Sequence, residues 1–136
     1  MLVVDASALI ELLLRRAGGE SVARHVTEHR GDLHAPHLLD VEILSALRRL
    51  DGSGAVTAPR ATETVVDFLD LPVERYPHTI LVPRIWELRD SFSAYDATYV
   101  ALAEALADDG VPLLTSDARL AKAARRHTDV EILLAA

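Results

Sequence analysis

The chain opens with an apolar run, Met1-Leu2-Val3-Val4, broken by Asp5, and then passes directly into helical spacing through Ala6-Ser7-Ala8-Leu9-Ile10-Glu11-Leu12-Leu13-Leu14. A buried strand that feeds straight into a helix is the opening half of a β-α-β unit, and it commits the chain to a parallel sheet covered by helices. In open α/β sheets this junction lies at the carboxyl edge of the strands, where ligands bind. Position alone leaves two readings of Asp5: an N-cap, accepting hydrogen bonds from the first free N–H groups of the helix, or a carboxylate aimed at a cleft. A second junction of the same plan, Leu113-Leu114-Thr115-Ser116-Asp117, lies near the other end of the chain.

Between the two junctions, strands and helices alternate. Helices are expected from about Ala6, from Glu20 to His29, from Leu38 to Leu50, from Pro59 to about Leu69, from Ile80 to Arg89, from Ala94 to Ala107 and from Ala118 to Arg126. Gly18-Gly19 separates the first two, Asp51-Gly52-Ser53-Gly54 forms a turn, and Asp109-Gly110 ends the sixth. Extended segments are expected at Asp32–Ala35, at the proline-bounded edge Pro72–Pro77, at Val111–Thr115 and at Val130–Leu134. The expected fold is α/β, with a central parallel sheet of four or five short strands and helices on both faces, in one domain spanning residues 1–136.

With no cysteine in 136 residues, there is neither a disulfide framework nor a thiolate zinc site. The N-terminus lacks the basic stretch of a signal peptide and no run reaches the length of a membrane span, so a soluble cytoplasmic protein is expected. The formal charge of −7 argues against simple electrostatic binding of nucleic acid. That argument weakens if acids converge on cations, because two divalent ions would reduce −7 to −3.

In the helix from Ala94, the residues Tyr99, Val100, Ala103, Leu106 and Ala107 form an apolar stripe at 100° per residue, and Asp96 falls inside it. A carboxylate facing a core costs several kcal/mol unless it is paired, capped or bound to a cation. Asp96 therefore either caps its own helix or shares the cleft of Asp5 and Asp117. Asp40 and Glu42 flank the stripe Leu39, Ile43, Ala46, Leu47 and Leu50 on opposite sides, and periodicity cannot choose between them.

Three segments together, VVDASALIELLL, APHLLDVEILSALRRL and SAYDATYVALAEALADDGVPLLTSDARLAKAA, resemble the successive signatures of PIN-domain ribonucleases. Among these the chain is most similar to VapC toxins of VapBC toxin–antitoxin systems, from Met1 to the last strand. The resemblance implies a three-layer sandwich and a metal-dependent endoribonuclease, with Asp5, Glu42, Asp96 and Asp117 as metal-binding acids. It implies two Mg²⁺ or Mn²⁺ ions, hydrolysis of RNA to a 5′-phosphate and a 3′-hydroxyl, and inhibition of translation and growth. It also implies a VapB-like antitoxin, a toxin homodimer and a toxin–antitoxin hetero-oligomer. Ser7 and Thr115 are expected to hydrogen-bond the cluster or a metal-bound water. Many relatives carry Asn in the loop before the Y-D-A motif, whereas here the loop reads Arg89-Asp90-Ser91-Phe92-Ser93.

Carboxylates suit this chemistry because hard divalent cations prefer oxygen ligands. Two such ions about 4 Å apart activate water and neutralise the leaving oxygen. Arg15, with Arg16 beside it, and Arg119, Lys122 and Arg126 at helical spacing after Asp117 are candidate RNA contacts, with solvated helix faces as the alternative. His25 and His29, four apart, lack a third ligand for zinc. The scattered His34, His37, His78 and His127 suit surface or capping roles, and Trp86 and the tyrosines suit core or interface packing. Leu9, Ile10, Leu12, Leu13 and Leu14 exceed one buried face and make the early helices the expected apolar docking surface.

A haloacid-dehalogenase-like phosphatase would need a second Asp where Ser7 stands. A receiver domain would need a lysine after a late strand, whereas Lys122 lies within a helix. The remaining rival is a catalytically silent PIN-like domain that binds protein or RNA.

Overall fold

A computed structural model describes all residues from Met1 to Ala136. The elements run β1 (Leu2–Val4), α1 (Ala6–Leu13), α2 (Gly19–Glu28), β2 (Leu33–Pro36), α3 (Leu38–Gly52), α4 (Ala58–Asp70), β3 (Val73–Tyr76), a 3-10 turn (Thr79–Leu81), α5 (Val82–Glu87), α6 (Ala94–Ala105), β4 (Leu113–Thr115), α7 (Ala118–His127) and β5 (Ile132–Leu134). The five strands are all parallel, in the order β3-β2-β1-β4-β5. From β1 the chain winds outward to β3, then returns to the other side of β1 with β4. The winding direction therefore reverses between β1 and β4, and a crevice opens there at the carboxyl ends of the strands.

The central strands are apolar throughout because both faces are covered. Val3 and Leu113 point into one core with Val100, Leu102 and Leu120 of α6 and α7. Leu2, Val4 and Leu114 point into the other with Leu9, Leu39 and Phe68 of α1, α3 and α4. This two-residue alternation separates three layers. At the α1–α2 junction, a Cβ on Gly19 would lie 2.7 Å from the carbonyl oxygen of Glu11, so only glycine permits the second helix to pack this closely on the first.

Several sequence expectations shift. The segment from Ile80 to Arg89 splits into a 3-10 turn and α5, because Pro83 has no N–H with which to continue a hydrogen-bonded ladder from one to the other. Helix α6 is not striped: Ala97 through Ala103 are buried on every side, Leu106 is partly exposed and Ala107 is exposed. The helix lies between the sheet and α5, so its amphipathic reading gives way to full burial. His34 is no surface group but is buried on β2, with one ring nitrogen 2.7 Å from Tyr76 Oη and the other 2.7 Å from Asp32 Oδ1. Leu9 and Ile10 are core residues, and Leu12, Leu13 and Leu14 pack against the same core. The exposed large apolar side chains stand elsewhere, including Val41 and Leu44 on α3, Leu69 on α4, and Ile80 and Trp86 around α5. No helix is long and apolar enough to cross a membrane.

Candidate active site

Asp5 leaves β1 as its N–H bonds the Leu114 carbonyl at 3.2 Å, which fixes it beside the end of β4. The two sequence readings of Asp5 prove compatible. Its Oδ1 accepts from the Ala8 N–H at 3.0 Å, capping α1, while the residue lines the crevice. Ser7 Oγ donates to Oδ1 at 2.7 Å and Thr115 Oγ1 donates to Oδ2 at 2.5 Å. Ser7 Oγ in turn accepts the Ser116 N–H at 2.9 Å, and Thr115 Oγ1 accepts the Asp117 N–H at 3.0 Å. Ser7 and Thr115 thus tie the two strand-to-helix junctions together around one carboxylate. Burial nevertheless dominates over these donors, and with Asp117 nearby it pushes the Asp5 carboxyl up to about 6.

Asp117 caps α7, its Oδ1 accepting from the N–H groups of Arg119 at 2.9 Å and Leu120 at 3.3 Å. Its Oδ2 is free of hydrogen bonds apart from a loose approach of Arg119 Nη2 at 3.9 Å. Asp96 sits in the first turn of α6 but does not cap it: Ser93 does, its Oγ accepting the Asp96 N–H at 3.1 Å. That leaves the half-buried Asp96 carboxyl facing the crevice, raised above its ordinary range by burial and then by Asp117.

Glu42 enters from the first half of α3, and its Oε1 accepts a 2.6 Å hydrogen bond from the Tyr99 hydroxyl. Burial and the charge of Asp96 raise the Glu42 carboxyl above the usual range. Burial, with Glu42 beside it, pushes the Tyr99 phenol far upward, so the phenol holds its proton as a donor. Asp40, which periodicity could not separate from Glu42, turns away. Its Oδ1 pairs with Arg75 Nε at 2.8 Å, and it does not line the crevice.

Asp5, Glu42, Asp96 and Asp117 therefore converge from four elements on one cleft of about 970 Å³, together with Tyr95, Tyr99 and Ser116. As placed, no three of the chain's acid or histidine side chains form a ready coordination group. The donor set still fits a hard divalent cation. The oxygens are carboxylate, and three of the four carboxyls are shifted toward the protonated form by burial, with neighbouring acids adding to the effect. A cation among them would relieve this cost.

The candidate RNA contacts are dispersed. Arg15, in the left-handed region at φ 53°, lies outside the cleft, whereas Arg16 lines it together with Arg49. The Arg119 side chain is 90% exposed beside Asp117, Lys122 is exposed further along α7, and Arg126 lines a separate polar cleft with Arg84 and Glu104. His29 bonds the His25 carbonyl at 2.8 Å through Nδ1, and no third ligand joins the pair. His78 Nε2 accepts the Leu38 N–H at the start of α3, and His127 packs edge-on against Phe92. Trp86 is exposed beneath Arg89, Tyr95 is exposed at the cleft, and only Tyr99 is a core tyrosine. The role of Tyr99 had a sequence signal that periodicity could supply: at three residues after Asp96 it shares that residue's helix face.

The PIN domain family model matches residues 2–126. The chain belongs to the PIN-domain family. Within it, the chain groups with VapC proteins. It is 40% identical over 134 residues to Ribonuclease VapC12 of Mycobacterium tuberculosis, covering 98% of this chain and 99% of that protein. It is 43% identical over 136 residues to VapC ribonuclease Mb0985 of Mycobacterium bovis, covering 98% of each. The crystal structure of PAE2754 from Pyrobaculum aerophilum superposes with a TM-score of 0.66 at 26% identity, covering 96% of this chain and 81% of that one. This PIN domain thus carries its four cleft carboxylates where its own sheet reverses its winding.

Proposed function

We propose that this VapC-family chain is the toxin of a type II toxin–antitoxin pair, a divalent-metal-dependent endoribonuclease that works in the cytosol as one PIN domain over residues 1–136. The observation that carries the reading is the convergence of Asp5, Glu42, Asp96 and Asp117 on the crevice between β1 and β4. The names of the relatives, which are ribonucleases, point the same way. The four acids are the proposed ligands of Mg²⁺ or Mn²⁺, two ions per site. Bound there, the ions would supply an activated water and neutralise the leaving oxygen of a phosphodiester.

The chain's own residues prepare that site. Ser7 and Thr115 hold both Asp5 oxygens in fixed directions. Tyr99 holds Glu42 inside the cleft, and the capping of α7 by Asp117 Oδ1 leaves Oδ2 turned outward. A cation held among them would offset the burial and the neighbouring charge that raise these carboxyls. The products are an RNA 5′-phosphate and a 3′-hydroxyl, and the consequence in the cell is arrested translation and growth. The partners are a VapB-like antitoxin that obstructs the cleft, a second toxin copy and the RNA itself.

The test is cleavage of RNA by the purified chain, free of antitoxin, in Mg²⁺ and in Mn²⁺, beside Asp5→Ala. Metal-dependent cutting by wild type and none by the variant is the expected result. A wild type silent under both metals would replace this reading with that of a binding module.

A further inference from the structure

The acidic cleft does not end at its four carboxylates. It continues as a groove between α1 and α3, bordered by Ile10, Ala46 and Leu50, to Arg16 and Arg49. Both helices begin at the carboxyl edge of the sheet and run back along it, so each carries an acid near its start and an arginine at or just beyond its end. On α3, Glu42 and Arg49 are seven residues apart, which puts them on the same face at a separation of about 10 Å along the axis.

Arg16 reaches the groove through a specific turn. The Arg16 N–H bonds the Glu11 carbonyl at 3.0 Å and the Arg15 N–H bonds the Leu12 carbonyl at 3.3 Å, the double closure of a Schellman motif. That motif wants glycine at its left-handed position, yet here Arg15 occupies it at φ 53°. The strained turn is what leaves Arg15 outside and brings Arg16 in. Neither Arg16 nor Arg49 forms an ion pair; the Arg49 guanidinium donates one hydrogen bond, to Ser45 Oγ at 3.2 Å. Arg60, Arg75 and Arg84 are by contrast committed to acids. Glu11 also lines the groove, with a buried Oε2 that has no hydrogen-bond partner, and it disfavours a phosphate part-way along.

We infer that Arg16 and Arg49 grip a backbone phosphate of the RNA substrate on one side of the scissile bond. This rests on the ribonuclease reading above. Arginine forks match phosphate geometry. At about 3.4 Å per stacked nucleotide, the axial rise of about 10 Å from Glu42 to Arg49 corresponds to about three nucleotides. Substrate recognition therefore extends well beyond the bond that is cut, and fragments too short to span the groove bind poorly.

Fluorescence anisotropy with 5′-labelled single-stranded RNA of 2 and of 12 nucleotides tests this, in Ca²⁺, which takes the same oxygen ligands. Wild type is expected to bind the longer strand about tenfold more tightly than the shorter, and the Arg16→Gln/Arg49→Gln chain to lose most of that advantage. Its salt dependence should flatten by about 0.7 in log–log slope, the value for one single-strand phosphate no longer neutralised. Arg24→Gln/Arg30→Gln, at two exposed arginines that do not line the groove, controls for the same loss of net charge. An unchanged length advantage and slope in the Arg16→Gln/Arg49→Gln double variant, or the same change in the Arg24→Gln/Arg30→Gln control, overturns the inference. So does a double variant that keeps RNA and instead loses a hexaglutamate peptide, which would give this end of the groove to a protein partner. If the binding results hold while neither Mg²⁺ nor Mn²⁺ supports cleavage, the phosphate grip stands and the nuclease reading falls.

Discussion

Replacing Asp5 with asparagine should stabilise the metal-free fold while destroying the site. The Asp5 carboxyl stands at about 6 in the folded chain against 3.8 when unperturbed. A raised carboxyl favours the folded state fully below the lower value, and that contribution is lost as pH rises through the upper one. At about 1.36 kcal/mol per pH unit, wild type at pH 7.5 bears a penalty of about 3 kcal/mol from this one ionisation. Asn at this position bears none. It still accepts the Ala8 N–H, and its amide can donate to Thr115 Oγ1, which has Ser7 Oγ at 3.2 Å to receive its own proton. For a chain of this size about 3 kcal/mol corresponds to roughly 10 °C in Tm. Thermal unfolding in EDTA should therefore show Asp5→Asn melting well above wild type at pH 7.5, with the gap closing toward pH 4. Mg²⁺ should then raise the wild-type Tm and leave the variant nearly unmoved. A variant no more stable than wild type at pH 7.5, or a gap independent of pH, refutes the argument that burial of this charge is what the site stores for its cation.

Tyr99→Phe removes a charge-assisted hydrogen bond worth about 1.5–3 kcal/mol from Glu42, and calorimetric titration should show Mg²⁺ binding weakened about tenfold. Because that bond favours the ionised carboxylate, the loss should be greater at pH 6 than at pH 8; equal affinities at both would contradict a positioning role. Asp40→Asn should retain RNA cleavage and change urea-unfolding stability by about 0–1 kcal/mol, the usual worth of a partly exposed ion pair such as that with Arg75. Loss of cleavage there would mean that the wrong acid of α3 has been assigned to the site. Gly19→Ala forces a methyl to within 2.7 Å of the Glu11 carbonyl, and chemical denaturation should report a loss of about 1–3 kcal/mol.

Much of this architecture was legible because strands and helices of a parallel sheet are each written locally. The apolar runs at Leu2–Val4 and Leu113–Thr115, the Gly18-Gly19 break and the Asp109-Gly110 stop all mark elements that the fold contains. Two local signals misled. In α6 the stripe through Tyr99 and Val100 suggested one buried face, but a helix between a sheet and other helices is covered all round. The leucines of α1 looked surplus until α2 and α4 supplied a second wall for them. Both errors come from counting the surface one neighbour would cover, when tertiary packing provided several.

By itself, the sequence determined where each carboxylate would stand along its own element: Asp5 and Asp117 at strand-to-helix junctions, Asp96 in the first turn of a helix and Glu42 on a helix flank. Distances between elements are not encoded in any one segment. Only the return of the chain to the far side of β1 brought Asp117 beside Asp5, and only the packing of α6 against the sheet set the Tyr99 hydroxyl on Glu42 rather than leaving Asp40 an equal claimant. The left-handed turn after α1 brought Arg16, and not Arg15, into the groove. Local chemistry chose the residue types, but the raised affinity of these acids for protons is a property of their shared burial, which exists only once the layers have closed.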